Sequence, residues 1–205
     1  CDGAHNSTTI VDSSGSPLST TCYGNAKLSN VQSKWGGTSL ALLGAGDYAA
    51  IANGVGTDFG GEAFTAEVWV YPTSLVSFAH VLGKWGLTGG CSWHLGIGAG
   101  ANVVAEVTAS GSYDPSYSGW GAAAITVDTW NHLALVLIPS VSTKVYANGV
   151  AAFTMGAPAG TANLPDLLTI GRNPNGQQFT GYIDDVRITK GLARYTADFT
   201  PPGAA

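Results

Sequence analysis

The chain has 205 residues and a formal net charge of −5, with only 10% charged residues against 29 glycines. That length suffices for one large β domain with its own core, and the supply of aromatic and β-branched residues excludes a disordered chain. Without a basic cluster, nucleic-acid binding loses phosphate neutralisation as its energy source, and no apolar run approaches the roughly 18–20 residues that cross a bilayer.

The sequence begins at Cys1 without Met, which fits a processed N-terminus, a lipidated cysteine or a start inside a longer polypeptide. Three cysteines, Cys1, Cys22 and Cys91, allow at most one disulfide. STTIVDSSG, NAKLSN, TSLALLG and DYAAIA are the first strand candidates. AFTAEVWVYPTS then alternates clearly. Phe64, Ala66, Val68 and Val70 take one face, Thr65, Glu67, Trp69 and Tyr71 the other, and Pro72 ends the run. HVLGKWG, SWHLGIG and NVVAEVTA follow; Trp85 and Trp93 flank GLTGGC, which reads as a loop and not as a binding edge. WNHLALVLIPS is continuously apolar, as expected of a strand covered on both faces. It leads into TKVYANGVAAF, where Asn148-Gly149 is a strong hairpin signal. DLLTIGR and FTGYIDDVRI are the last strands, separated by the turn-rich NPNGQQ. One helical turn is expected around residues 192–195, ahead of Pro201-Pro202. With turn chemistry between the short strands, and neither repeat nor linker, the pattern predicts an all-β fold. The expected form is a two-sheet antiparallel β-sandwich or jelly roll, a single domain over residues 1–205.

The stretch SGSYDPSYSGWGAAA breaks the alternation and reads as a loop, where function concentrates. Its aromatics suit the C–H faces of sugar rings, with Asp114 accepting hydroxyl hydrogens. They equally suit a protein interface, or packing over the sandwich edge. Tyr113, Asp114, Tyr117 and Trp120 are therefore the candidate ligand-binding residues.

No catalytic constellation is expected. Glu62, Glu67 and Glu106 are isolated, whereas glycoside hydrolysis needs paired carboxylates. His5, His80, His94 and His132 lack zinc-site spacing and there is no C-x-x-C. No G-x-S-x-G elbow occurs, and GIGAGA and GAGDYA are turn glycines because no helix follows them.

Two acids in YIDDVRI need an account. Alternation groups Asp184 with Tyr182, Val186 and Ile188, and Asp185 with Ile183 and Arg187. Asp185 and Arg187 can pair. Asp184, on an apolar face, needs a partner: a calcium ion, or the backbone N–H groups of a turn.

FTAEVWVYPTS, TWNHLALVL, KVYANGV and LTIGR, with SKWGGTSLALLGAGDYAAI before them and FTGYIDDVRITKGLARYTADFTPP at the end, carry a resemblance. Over nearly its whole length the chain resembles laminin-G-like domains of the concanavalin-A-like jelly-roll (lectin/glucanase) superfamily. The ending DDVRITKGLARYTADFTPP is most similar to versions in bacteriophage virion proteins. The resemblance implies two antiparallel sheets, a structural calcium ion in many members, and carbohydrate or protein binding without catalysis. It places calcium between the terminal strand and the loop LLGAGDYAAI, so Asp47 and Asp184 are the candidate metal ligands, with Asp185 as substitute. The expected function is a non-catalytic binding or adhesion module on a virion surface, as a capsid decoration or tail-fibre domain. Its partner would be a host glycan or another surface protein, with no nucleic acid, no membrane insertion, and homo-oligomer formation left open. The alternative is a lectin-like domain of a secreted or cell-surface bacterial protein. Fold alone does not decide between them.

Overall fold

The computed structural model describes residues 1, 3–86, 90–123 and 125–203. In chain order its strands are β1 (Thr20–Tyr23), β2 (Lys27–Ser29), β3 (Ser39–Leu42), β4 (Tyr48–Ile51), β5 (Phe64–Pro72), β6 (Phe78–Trp85) and β7 (Cys91–Gly98). There follow β8 (Val103–Val107), β9 (Ser118–Gly121), β10 (Asn131–Ile138), β11 (Ser142–Ala147), β12 (Val150–Met155), β13 (Leu168–Ile170) and β14 (Gly181–Lys190). They form two sheets of seven, in the orders β1-β4-β13-β6-β7-β8-β9 and β12-β11-β10-β5-β14-β3-β2. The pairings within both are antiparallel. The expected all-β sandwich is the observed fold.

Alternation decides what lies between the sheets. On β5, Phe64, Ala66, Val68 and Val70 enter the core, as the sequence predicts. On β7 the core takes Trp93, Leu95 and Ile97, and on β8 it takes Val103, Ala105 and Val107. Their neighbours His94 and Glu106 therefore belong to the outer face of the first sheet.

The outer face of the second sheet is covered by the chain's own C-terminal segment. Residues 192–195 form no helix; the segment runs instead as an extended strap. Tyr195 and Phe199 stack with centroids 3.5 Å apart and planes 3° apart, and both pack on Ala134, Val136 and Tyr146. The phenol of Tyr195 donates to Glu67 Oε2 at 2.6 Å. The hairpin at Asn148-Gly149 is present with φ of 53° and 81°. A side chain at Gly149 would collide with the Phe199 carbonyl of the strap.

Other expectations are corrected. STTIVDSSG is not a strand; Ser7 at its start accepts the Leu28 N–H of β2, beside the bond from the preceding Asn6 N–H to the Leu28 carbonyl, and Asp12 folds the rest into a turn by accepting the Ser14 and Leu18 N–H groups. Trp120 lies on edge strand β9 and not in a loop. The three cysteines are free thiols. In β14 a bulge between Asp184 and Arg187 resets the alternation. Val186 and Ile188 consequently turn to the core, while Asp184 and Arg187 stand opposite the outward Trp69 and Glu67. Asp185 takes the left-handed bulge position, with φ of 45°, and pairs with Arg187 at 3.6 Å as expected.

Candidate functional site

A groove of about 430 Å³ opens on the outer face of the first sheet. Its walls are aromatic: Phe78 and Trp85 from β6 on one side, Tyr113 and Trp120 on the other. Tyr113 and Trp120 are 64% and 72% exposed. The floor is polar, because His94 and Glu106 stand opposite each other on β7 and β8 and are only 1% and 4% exposed. The ring of Phe78 stacks on His94 at 5.1 Å, and the edge of Trp85 meets it at 5.2 Å. Gly96 leaves room beside the imidazole, since a Cβ there would lie 2.7 Å from His94 Nε2.

His94 Nε2, Glu106 Oε1 and Trp85 Nε1 have no hydrogen-bond partner among the described residues. Buried polar atoms are seldom left so. Burial, and then the negative charge of Asp114, push the Glu106 carboxyl up to about 7. Burial, and then the neighbouring His80, hold the His94 imidazole well below its ordinary value, so it is neutral at pH 7. The adjacent His80 lies 3.2 Å from the Thr169 carbonyl oxygen and 3.0 Å from its hydroxyl. Burial pulls it down to about 4, against that backbone hydrogen bond. No Lys or Arg is among the described residues that line the groove. The floor can both donate and accept hydrogen bonds, and the walls offer flat apolar faces. That combination suits a hydroxyl-rich, uncharged ring. Glu106 is the sole carboxylate among the described lining residues, so the paired acids of glycosidase chemistry are not assembled there.

The predicted ligand-binding residues divide. Tyr113 and Trp120 line the groove. Asp114 accepts the Ser116 N–H at 2.8 Å and caps the one-turn segment Pro115–Tyr117. Tyr117 does not line the groove and lies near Gly156. His94, Glu106, Phe78 and Trp85 were not foreseen as site residues. The signal for the first two was present: alternation on SWHLGIG and NVVAEVTA turns both outward, and pairing of the consecutive strands sets them side by side.

The predicted metal ligands are not brought together. Asp184 lies next to Ile183, which pairs with Leu40 near the start of β3, whereas Asp47 lies beyond the other end of that strand. Asp47 accepts the N–H groups of Asn25 at 2.7 Å, Leu43 at 3.2 Å and Gly44 at 2.7 Å. Asp184 accepts from the main-chain nitrogens of Cys1, Lys34, Trp35 and Asp185 at 2.8, 2.9, 3.1 and 2.9 Å. Oxygens surrounded by inward-pointing N–H groups present positive, not negative, neighbours to a cation. This donor set does not fit calcium at either acid, and no group of three or more candidate ligands forms among the described residues.

Comparison with known proteins bears on the fold. No curated protein sequence matches the chain. In structure it is similar to the binding domain of Paraclostridial Mosquitocidal Protein 1, with TM-score 0.69, 14% identity, and 91% of this chain aligned to 47% of that one. It is similar to domain 4 of AbnA, a GH43 extracellular arabinanase of Geobacillus stearothermophilus solved with arabinotriose, with TM-score 0.62, 18% identity, and 85% and 82% coverage. A botulinum neurotoxin type C structure, whose cell entry depends on two ganglioside molecules, aligns with TM-score 0.64, 14% identity, and 92% and 47% coverage. The chain thus spans about half the length of these toxin structures. A laminin-G-type family model, described as concanavalin A-like lectin/glucanases superfamily, matches residues 43–193. With that match across most of the chain, on a sandwich of two seven-stranded sheets, the protein belongs to the concanavalin A-like lectin/glucanases superfamily.

Proposed function

We propose that the protein is a non-catalytic binding module that holds an uncharged saccharide in the groove between Trp120 and Phe78. One observation carries this: a buried His94–Glu106 pair with unpartnered polar atoms forms the floor between exposed aromatic walls. Hydroxyl groups would complete those hydrogen bonds, and the sugar's C–H faces would stack on Trp120 and Tyr113. An anionic sugar would find Glu106 and no cationic counterpart.

A peptide fits less well. The floor of the groove lies on β7 and β8, each already paired on both sides, so β-augmentation could use only the outer edge of β9, beyond the Trp120 wall. A glycan array run with the purified chain tests the reading. Neutral glycans should be retained, and Trp120→Ala should abolish their retention. A blank array from folded protein would overturn the saccharide reading and favour a protein partner.

The ending DDVRITKGLARYTADFTPP supports placing this module on a virion surface, as a capsid decoration or tail-fibre domain. The fold's likeness to toxin binding domains and to a domain of an extracellular arabinanase supports the second reading, a lectin-like domain of a secreted or cell-surface bacterial protein. An antibody to the chain that labels purified virions favours the first; labelling of bacterial surfaces or medium favours the second.

A further inference from the structure

A second hollow, of about 220 Å³, lies on the same outer face toward β4. Tyr48, Asp166, Thr169 and Arg172 line it, and so does Trp85, which also walls the main groove. The strand register explains how the two connect. Ala50, Thr169, Gly83, His94, Glu106 and Ser118 are successive partners straight across β4, β13, β6, β7, β8 and β9. At Gly83 the row has no side chain, and a Cβ there would meet the His80 ring at 3.1 Å. The imidazole of His80 takes that place and joins Thr169 to His94, at 3.0 Å on one side and 5.0 Å between ring centroids on the other. The result is a buried polar row, with Tyr48 at one end and Trp120 at the other.

From this we infer that the groove and the second hollow are one cleft, built for a linear oligosaccharide lying across the strands, with Trp85 as the joint between its halves. This rests on the saccharide reading above and extends it from a single ring to a chain. Five interstrand steps separate β4 from β9; at about 4.8 Å each they give a cleft about 24 Å long, room for several sugar units. Aromatic rings recur along it at Tyr48, Trp85 and Trp120, and polar side chains lie on the floor between them. Arg172 stands at the far end, with its guanidinium 5.9 Å from the Tyr48 ring and no ion pair among the described residues. It can donate to the hydroxyls of the last units. A terminal monosaccharide would fill only one half.

Calorimetry with gluco-, xylo-, manno-, galacto- and arabino-oligosaccharide ladders, each from one to six units, tests this. At least one series should bind with affinity rising tenfold or more from the shortest to the longest member. Arg172→Ala and Tyr48→Ala should weaken the long members and leave the short ones unchanged; Trp120→Ala should weaken all. Circular dichroism confirms that each variant is folded. An affinity independent of length overturns the extended cleft while the single-groove reading stands, as does an equal loss at every length in Arg172→Ala. No binding by any ladder overturns both.

Discussion

His94 and Glu106 are directly paired residues on β7 and β8, both nearly inaccessible, and neither His94 Nε2 nor Glu106 Oε1 has a hydrogen-bond partner among the described residues. The folded state therefore favours the uncharged form of each. For Glu106 the carboxyl rises from 4.5 to about 7. Its contribution is fully present below pH 4.5 and is lost as pH rises toward 7. At 1.36 kcal/mol per unit this is about 3 kcal/mol. Glu106→Gln should thus gain about that much stability relative to the parent between pH 4.5 and pH 8, by denaturant midpoints. Parallel stability curves for the two proteins would refute a buried, unpartnered carboxyl.

The two histidines work in the opposite sense. His80 falls from 6.5 to about 4, and His94 falls well below 6.5. Their contribution is present above pH 6.5 and is lost as pH falls, because the unfolded chain takes up protons that the folded one refuses. In the parent, this offsets the Glu106 effect between pH 4.5 and 6.5. His80→Gln should flatten the acid side of the stability profile; an acid limb of unchanged slope would show that His80 is not held neutral by burial.

Trp120 and Tyr113 are exposed, so replacing them removes little of the core. Trp120→Ala should weaken neutral saccharide binding at least tenfold, about 1.4 kcal/mol, and leave Tm almost unchanged. A large fall in Tm would mean that the ring supports the fold.

Asp184 ties the terminal strand to the SKWGG turn by accepting the Lys34 and Trp35 N–H groups. Hydrogen bonds to a charged acceptor contribute roughly 1.5–3 kcal/mol each. Asp184→Ala leaves several buried donors unpaired and should cost about 3–5 kcal/mol. EDTA should not move the Tm of the parent; a drop of several degrees would reveal a cation that stabilises the folded state.

Glu67 anchors the strap. Burial pushes its carboxyl up, but hydrogen bonds from His132 and Tyr195 and the charges of His132 and Arg187 outweigh this and hold it below the usual range. Arg194 Nε lies 3.2 Å away. Tyr195→Phe should cost about 1–2 kcal/mol and speed amide exchange over residues 191–199. Exchange as slow as in the parent would show that stacking on Phe199 alone holds the strap.

The all-β class, most of the longer strands, the inward and outward faces of β5, the Asn148-Gly149 turn and the family were legible in the sequence, because these depend on local periodicity and backbone chemistry; β9 was not, since its Ser-Gly-Trp-Gly run carries no alternation. The sequence also singled out Tyr113 and Trp120, whose residue types stand out among small polar neighbours. The N–H groups that Asp47 and Asp184 accept could not be read from the sequence, since most come from other segments, Lys34 being 150 positions from Asp184. The tertiary structure alone set His94 beside Glu106 and Thr169 beside His80, because these residues look isolated along the chain and become neighbours only through strand order and register. The Asp185 bulge was likewise hidden: one left-handed residue inverts the side-chain alternation after it, and no periodicity in the sequence announces that.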